Sequence, residues 1–204
     1  MLEKTKEKNR CPWLGIKDPE YARYHDEEWG IPQKNSQSLF EKLILEGFQA
    51  GLSWITILKK RDAFREAFDN FDAQVMARYE KKDIRRLMHD RRIVRNQIKI
   101  EAAIKNARAY LVLAERTSFA KLIWSQLDEG PIINKPLYLK DIPTATNLSH
   151  ELSRNLKKNG FHFVGPTTIY AFMQSVGMVN DHLISCPQHK VCATLQRNFK
   201  MPVQ

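Results

Sequence analysis

Two cysteine–histidine pairs stand at opposite ends of the chain, Cys11 with His25 and His182 with Cys186. Thiolate sulfur and imidazole nitrogen are the donors zinc takes in closed, tetrahedral, structural sites. His182 and Cys186 lie four apart, so a helical turn would put both on one face, within reach of one ion. Zinc held by all four would tie the chain ends together. No compact CxxC pair is present, and spacing alone leaves other arrangements open. Cys186, His189 and Cys192 form a C-terminal set without a fourth member. His25, Asp26 and Glu27 spell H-x-E, the opening of a zinc-deaminase signature, but the P-C-x-x-C that must follow is absent. A buried thiol or a satisfied histidine without any ion is the bland alternative.

Between Cys11 and Trp29 the chain also concentrates aromatic side chains: Trp13, Tyr21, Tyr24 and Trp29. Tyr21 and Tyr24 are three apart, so one helical face can present both. Further on, Glu46 stands between Leu45 and Gly47, where a carboxylate is either solvated or specifically paired.

The elements that must position these residues read as helices. Ser38, with Glu41 three residues on, suggests a capping box opening a helix with an apolar stripe of Leu39, Phe40, Leu43 and Ile44. Gly47 and Gly51 are expected to interrupt it and to let a backbone or flat ligand approach. Leu52–Lys60 and Ala63–Phe68 read as short helices, the first carrying Trp54. Asp72 is expected to cap another. Residues 81–105 hold nine Lys or Arg against three acids, most simply a solvated helix face. Ile100, Ile104, Ala107 and Leu111 repeat at helical spacing. Residues 128–147 contain three prolines and no sustained period, and read as a long loop. Little strand alternation is present, so the expected class is all-α.

A second feature is the string GFHFVGPTT. Gly160 fits the residue after a helix end and Pro166 the first position of the next helix. The free amides there, those of Gly165 and Thr167, can hold a phosphate without reading sequence, with Lys157 and Lys158 beside them. On its own the string favours an ordinary helix–helix connection.

Composition limits the classes. The 204 residues, 43% of them hydrophobic, suffice for one compact core, and no apolar run approaches a membrane span. The charged N-terminus lacks a secretory leader, and three cysteines argue for a reducing compartment rather than a disulfide framework. A net charge of +10 suits a polyanionic partner. The expected organisation is a basic arm over 1–10, one domain of two helical subdomains over 11–190 and a tail over 191–204.

The strings DPEYARYHDEEWG, EGFQAGLSWITILKKR, NARAYL and GFHFVGPTT running on to VNDH closely resemble the bacterial DNA-3-methyladenine glycosylase I family, from about Cys11 to Cys186. The resemblance implies a helix-hairpin-helix glycosylase fold. It implies structural Zn2+ on Cys11, His25, His182 and Cys186, and hydrolysis of the N-glycosidic bond of 3-methyladenine in double-stranded DNA. It assigns the base pocket to Trp13, Tyr21, Tyr24 and Trp54, with Glu46 hydrogen-bonding the base and serving as the catalytic carboxylate. A cationic planar base favours aromatic walls. Trp29 is expected to pack behind the pocket, and Asp181, adjoining His182, to be structural. Superfamily members that cut the strand carry a lysine two residues after the hairpin's second glycine. Here Pro166 and Thr167 follow Gly165, so no strand cleavage is expected. The expected enzyme is a cytoplasmic monomer acting on the nucleoid. Against it stands a non-enzymatic zinc-stapled DNA-binding module. The sequence departs from the family at Arg92, where a glycine is usual, which could alter a turn or add a phosphate contact.

Overall fold

The computed structural model of the chain describes residues 9–15 and 18–202, so most of the expected N-terminal arm lies outside the described residues. The fold is helical as expected. Helices α1 (Pro19–Glu27), α2 (Ser36–Gln49), α3 (Trp54–Leu58), α4 (Arg61–Ala67), α5 (Ala73–Met76), α6 (Lys81–His89) and α7 (Gln97–Ala114) form the first part. Helices α8 (Phe119–Trp124), α9 (Asn147–Lys158), α10 (Pro166–Ser175) and α11 (Pro187–Arg197) complete it.

Helix α2 is central, packed against α3, α7, α8 and α10. It starts earlier than the capping-box reading put it, because the Asn35 carboxamide accepts from the Ser38 amide at 2.9 Å. Glu41 instead takes the Arg65 guanidinium at 2.8 Å. The stripe of Leu39, Phe40, Leu43 and Ile44 is buried, and so are Leu45 and Phe48, because neighbours surround the helix. Truncating one such side chain costs about 2–5 kcal/mol. Gly47 does not break the helix. Its missing side chain admits the hairpin instead, since a Cβ there would stand 3.5 Å from that of Phe163. Helix α2 ends where Lys99 donates to the carbonyls of Phe48 and Ala50 at 2.9 and 2.6 Å, which satisfies its C-terminal carbonyls.

Two other parts of the basic window are also engaged within the fold. Arg86 donates to the Ala67 carbonyl at 2.9 Å. Arg92 is paired with Asp90 and Glu66, so its guanidinium is engaged within the fold. The 128–147 stretch is mostly loop, but Ile132–Ile133 (β1) pairs in parallel with Val179–Asn180 (β2). It also contains the 3-10 turn Leu139–Asp141. The tail expected from 191 begins inside α11, whose Cys192, Ala193 and Gln196 are buried.

The α9–α10 hairpin follows the sequence reading. Gly160 takes φ +85° after the Asn159 cap, and the Phe161 amide returns to the Leu156 carbonyl at 3.0 Å. Buried Asn106 on α7 clamps the turn, accepting from the His162 amide at 2.7 Å and donating to its carbonyl at 3.0 Å. No described helix is long and apolar enough to cross a membrane.

Candidate active site

The aromatic residues converge. Trp13, Tyr21, Tyr24, Trp54 and Glu46 line one cavity of about 280 Å³. Trp13 comes from the 3-10 turn Pro12–Leu14, the tyrosines from α1, Glu46 from α2 and Trp54 from the first residue of α3. Asp18 caps α1 by accepting from the amides of Glu20 and Tyr21, which places both tyrosines on the face turned to the cavity. Ring centroids are 5.2 Å apart for Trp13–Tyr21 and 5.3 Å for Tyr24–Trp54. Trp29 packs edge-on to Trp13 at 5.0 Å, as expected of a supporting residue, and also reaches the cavity lining.

Glu46 is 3% exposed. Burial pushes its carboxyl above the usual carboxylate range, while Lys42 and a hydrogen bond with Ser175 pull it back. Lys42 stands one turn earlier on α2 and was not picked out from sequence. Its ammonium donates to the Tyr24 hydroxyl at 2.9 Å and lies 3.9 Å from the Trp54 ring centroid. Burial brings its pKa down to about 8. Lys42 does not itself line the cavity, but contacts Tyr24 and Trp54, which do. The indole N–H groups of Trp13 and Trp54 are buried without a protein acceptor, an arrangement that suits a ligand carrying ring nitrogens.

Gln49, Leu139, Ile142, Ala171 and Gln174 complete the lining and were missed in the sequence. Gln49 lies one helical turn from Glu46, so spacing could have found it. Ala171 and Gln174 lie on the helix that Pro166 opens, but nothing local shows which of its faces meets the cavity, and Leu139 and Ile142 come from a segment with no local signal. The hairpin places Gly165 as the cap and Thr167 in the first turn of α10, with exposed Lys157 and Lys158 at the end of α9. None of these four lines the cavity.

Cys11, His25, His182 and Cys186 form a buried group with all four donor atoms within 4.8 Å of one another. The Cys11 Sγ–His182 Nδ1, Cys186 Sγ–His25 Nε2 and Cys186 Sγ–His182 Nδ1 distances are 3.6, 3.7 and 3.8 Å. A tetrahedral ion bonded at about 2.3 Å to sulfur and about 2.1 Å to nitrogen requires sulfur–nitrogen edges of about 3.6 Å. The other ring nitrogens are oriented from outside. His25 Nδ1 meets Asp26 at 2.9 Å, itself held by Arg10, and His182 Nε2 meets the Trp29 carbonyl at 3.1 Å. Contact with Cys11 and the two imidazoles draws the Cys186 thiol down, and the same contact with burial pushes Cys11 up. The residues therefore fit a closed metal centre. The rival C-terminal set does not form: His189 meets the Asn134 carbonyl at 2.8 Å and Cys192 packs against Trp29.

Asp181 is buried and accepts from Asn134, Tyr170 and Gln174 at 2.7, 2.7 and 2.8 Å. These contacts tie β2 to α10.

The methyladenine glycosylase family model matches residues 13–189. DNA-3-methyladenine glycosylase of Haemophilus influenzae is 50% identical over 87% of this chain and 96% of its own. DNA-3-methyladenine glycosylase 1 of Escherichia coli is 47% identical over 87% of this chain and 95% of its own. The structure of 3-methyladenine DNA glycosylase I from Staphylococcus aureus superposes with a TM-score of 0.85 at 39% identity, covering 90% of this chain and 98% of that one. A variant of 3-methyladenine DNA glycosylase I in complex with 3-methyladenine superposes with a TM-score of 0.84 at 39% identity, covering 89% of this chain and 97% of that one.

Proposed function

The chain belongs to the methyladenine glycosylase family, and from that premise we propose that it is a DNA-repair glycosylase hydrolysing the N-glycosidic bond of 3-methyladenine in alkylated DNA. The observation that carries this reading is the convergence of Trp13, Tyr21, Tyr24 and Trp54 on one cavity that contains a buried carboxylate, Glu46. A pure backbone binder has no use for such a cavity.

An extruded base must leave the stack to be reached. Methylation at N3 gives the base a positive charge, so it leaves readily and takes the glycosidic electron pair with it as a neutral molecule. The sugar carbon is left cationic and is captured by water. Aromatic walls and the Glu46 carboxylate favour the charged base over an unmodified one. Glu46 also favours the sugar cation as it develops. Lys42 opposes the upward push that burial exerts on the Glu46 carboxyl, and it is not a nucleophile, since it does not line the cavity. With Pro166 and Thr167 after Gly165, no amine is supplied for strand cleavage. The hairpin amides of Gly165 and Thr167, with Lys157 and Lys158, hold the phosphates of the duplex, and affinity falls with salt.

Cys11, His25, His182 and Cys186 would hold Zn2+. With four protein ligands such an ion would supply structural cross-linking, and no position would be left for water. Four protein ligands on one ion would leave no room for deaminase chemistry, which needs an open zinc position. The enzyme acts as a monomer with two helical subdomains around the cavity, in the cytoplasm. Methylated duplex DNA incubated with the protein tests the reading. Release of free 3-methyladenine with intact strands is expected, and DNA binding without release would favour the zinc-stapled module.

A further inference from the structure

Gln174 on α10 lines the cavity together with Glu46, and its amide nitrogen donates to buried Asp181 at 2.8 Å. A carboxamide has one donating and one accepting end, whereas a carboxylate only accepts. Turning the Gln174 amide round would set oxygen against oxygen. Asp181 is itself fixed by Tyr170 and Asn134 at 2.7 Å each, so it cannot swing away. Among the described residues no protein group donates to the Gln174 oxygen. The cavity lining therefore carries two acceptors, the Glu46 carboxylate and the Gln174 carbonyl, and the Gln174 oxygen is left for a donor on the ligand.

We infer that Gln174, oriented by Asp181, accepts from the exocyclic amine of the extruded base and makes the site selective for 6-amino over 6-oxo purines. The inference rests on the base-excision reading above. Adenine offers two N–H bonds at its 6-position, enough for both acceptors. A 6-oxo purine puts an acceptor there, and cavity acceptors left facing an acceptor disfavour it. Gln174 is then a specificity-determining residue and Asp181 a positioning residue.

The test compares release of 3-methyladenine and 3-methylguanine from alkylated duplex DNA by the wild type, Gln174→Leu and Asp181→Asn, with thermal unfolding of each. Gln174→Leu is expected to slow 3-methyladenine release about tenfold or more, while 3-methylguanine release changes little. Asp181→Asn, whose amide lets Gln174 turn round, should lower the same preference. Equal slowing of both lesions, or an unchanged preference, overturns the inference. Binding to the wild type needs no variant: free 3-methyladenine should bind about tenfold or more tighter than 3-methylhypoxanthine, its 6-oxo counterpart. Equal affinity for the two bases also overturns it. A wild type that releases no 3-methyladenine overturns the base-excision reading itself, whereas release with an unaltered preference removes only the role of Gln174.

Discussion

Lys42 and Glu46 lie one turn apart on α2, the buried carboxylate in the cavity lining and the half-buried ammonium against the Tyr24 hydroxyl and the Trp54 ring of that lining. The pair divides one task. Glu46 meets the base, and Lys42 offsets the cost of keeping Glu46 charged where water is scarce.

Replacing Glu46 by Gln should lower single-turnover release of 3-methyladenine by about a hundredfold, the usual scale for losing a charge that faces a developing cation. The protein should stay folded. Burial raises the Glu46 carboxyl in the folded state, so its contribution to stability is present below the unfolded value and lost as pH rises through the folded one. At neutral pH the Gln variant is thus expected to melt no lower than the wild type. Calorimetry and the release assay check the two halves separately.

Lys42→Met should move the acidic limb of the release–pH profile to higher pH, because the ammonium holds the Glu46 carboxyl down. In the wild type Lys42 loses its proton around pH 8, so the two proteins should converge above that value. Profiles that superimpose across the acidic limb would remove Lys42 from the account.

Cys186→Ala, or treatment with a chelator, should lower the melting temperature by roughly 10 °C or more, because an ion held by the four residues would join segments from both chain ends. Single-turnover release by protein that remains folded at low temperature should fall far less. Metal analysis of the purified protein should find one zinc per chain.

Gly177→Ala should destabilise by roughly 2–4 kcal/mol. Gly177 sits at φ +74°, and a Cβ there would come within 2.5 Å of the Pro32 nitrogen and 2.6 Å of the Ile31 carbonyl carbon. Both are backbone atoms and cannot yield as a side chain would. Denaturant unfolding measures the loss directly.

Much of this was legible in the sequence because the signals were local. The Gly160 and Pro166 punctuation fixed the hairpin, and the spacing of Ile100, Ile104 and Ala107 fixed α7. Tyr21 and Tyr24 share a helical face by spacing alone, and both line the cavity. What the sequence hid depends on tertiary neighbours. Gly47 remains helical because the hairpin packs on it, and α2 stops where it does because Lys99, distant in sequence, meets its last carbonyls. Leu139 reaches the cavity from a segment that carries no motif, and Gln174, although it lies on the hairpin's second helix, has a fixed orientation only because the residue after β2, Asp181, stands beside it. The metal group lies between, since its donors could be listed from sequence but their convergence could not.

The central claim is that the aromatic cavity with Glu46 grips an extruded, positively charged base. Its most direct test is the rate of free 3-methyladenine release from methylated duplex DNA by zinc-loaded wild type, beside Trp54→Ala and Glu46→Gln at matched protein folding. The account predicts release by the wild type without strand breaks, and release slowed about tenfold or more in both variants while duplex binding persists. Release at the wild-type rate by either variant, or none by the wild type, would contradict it.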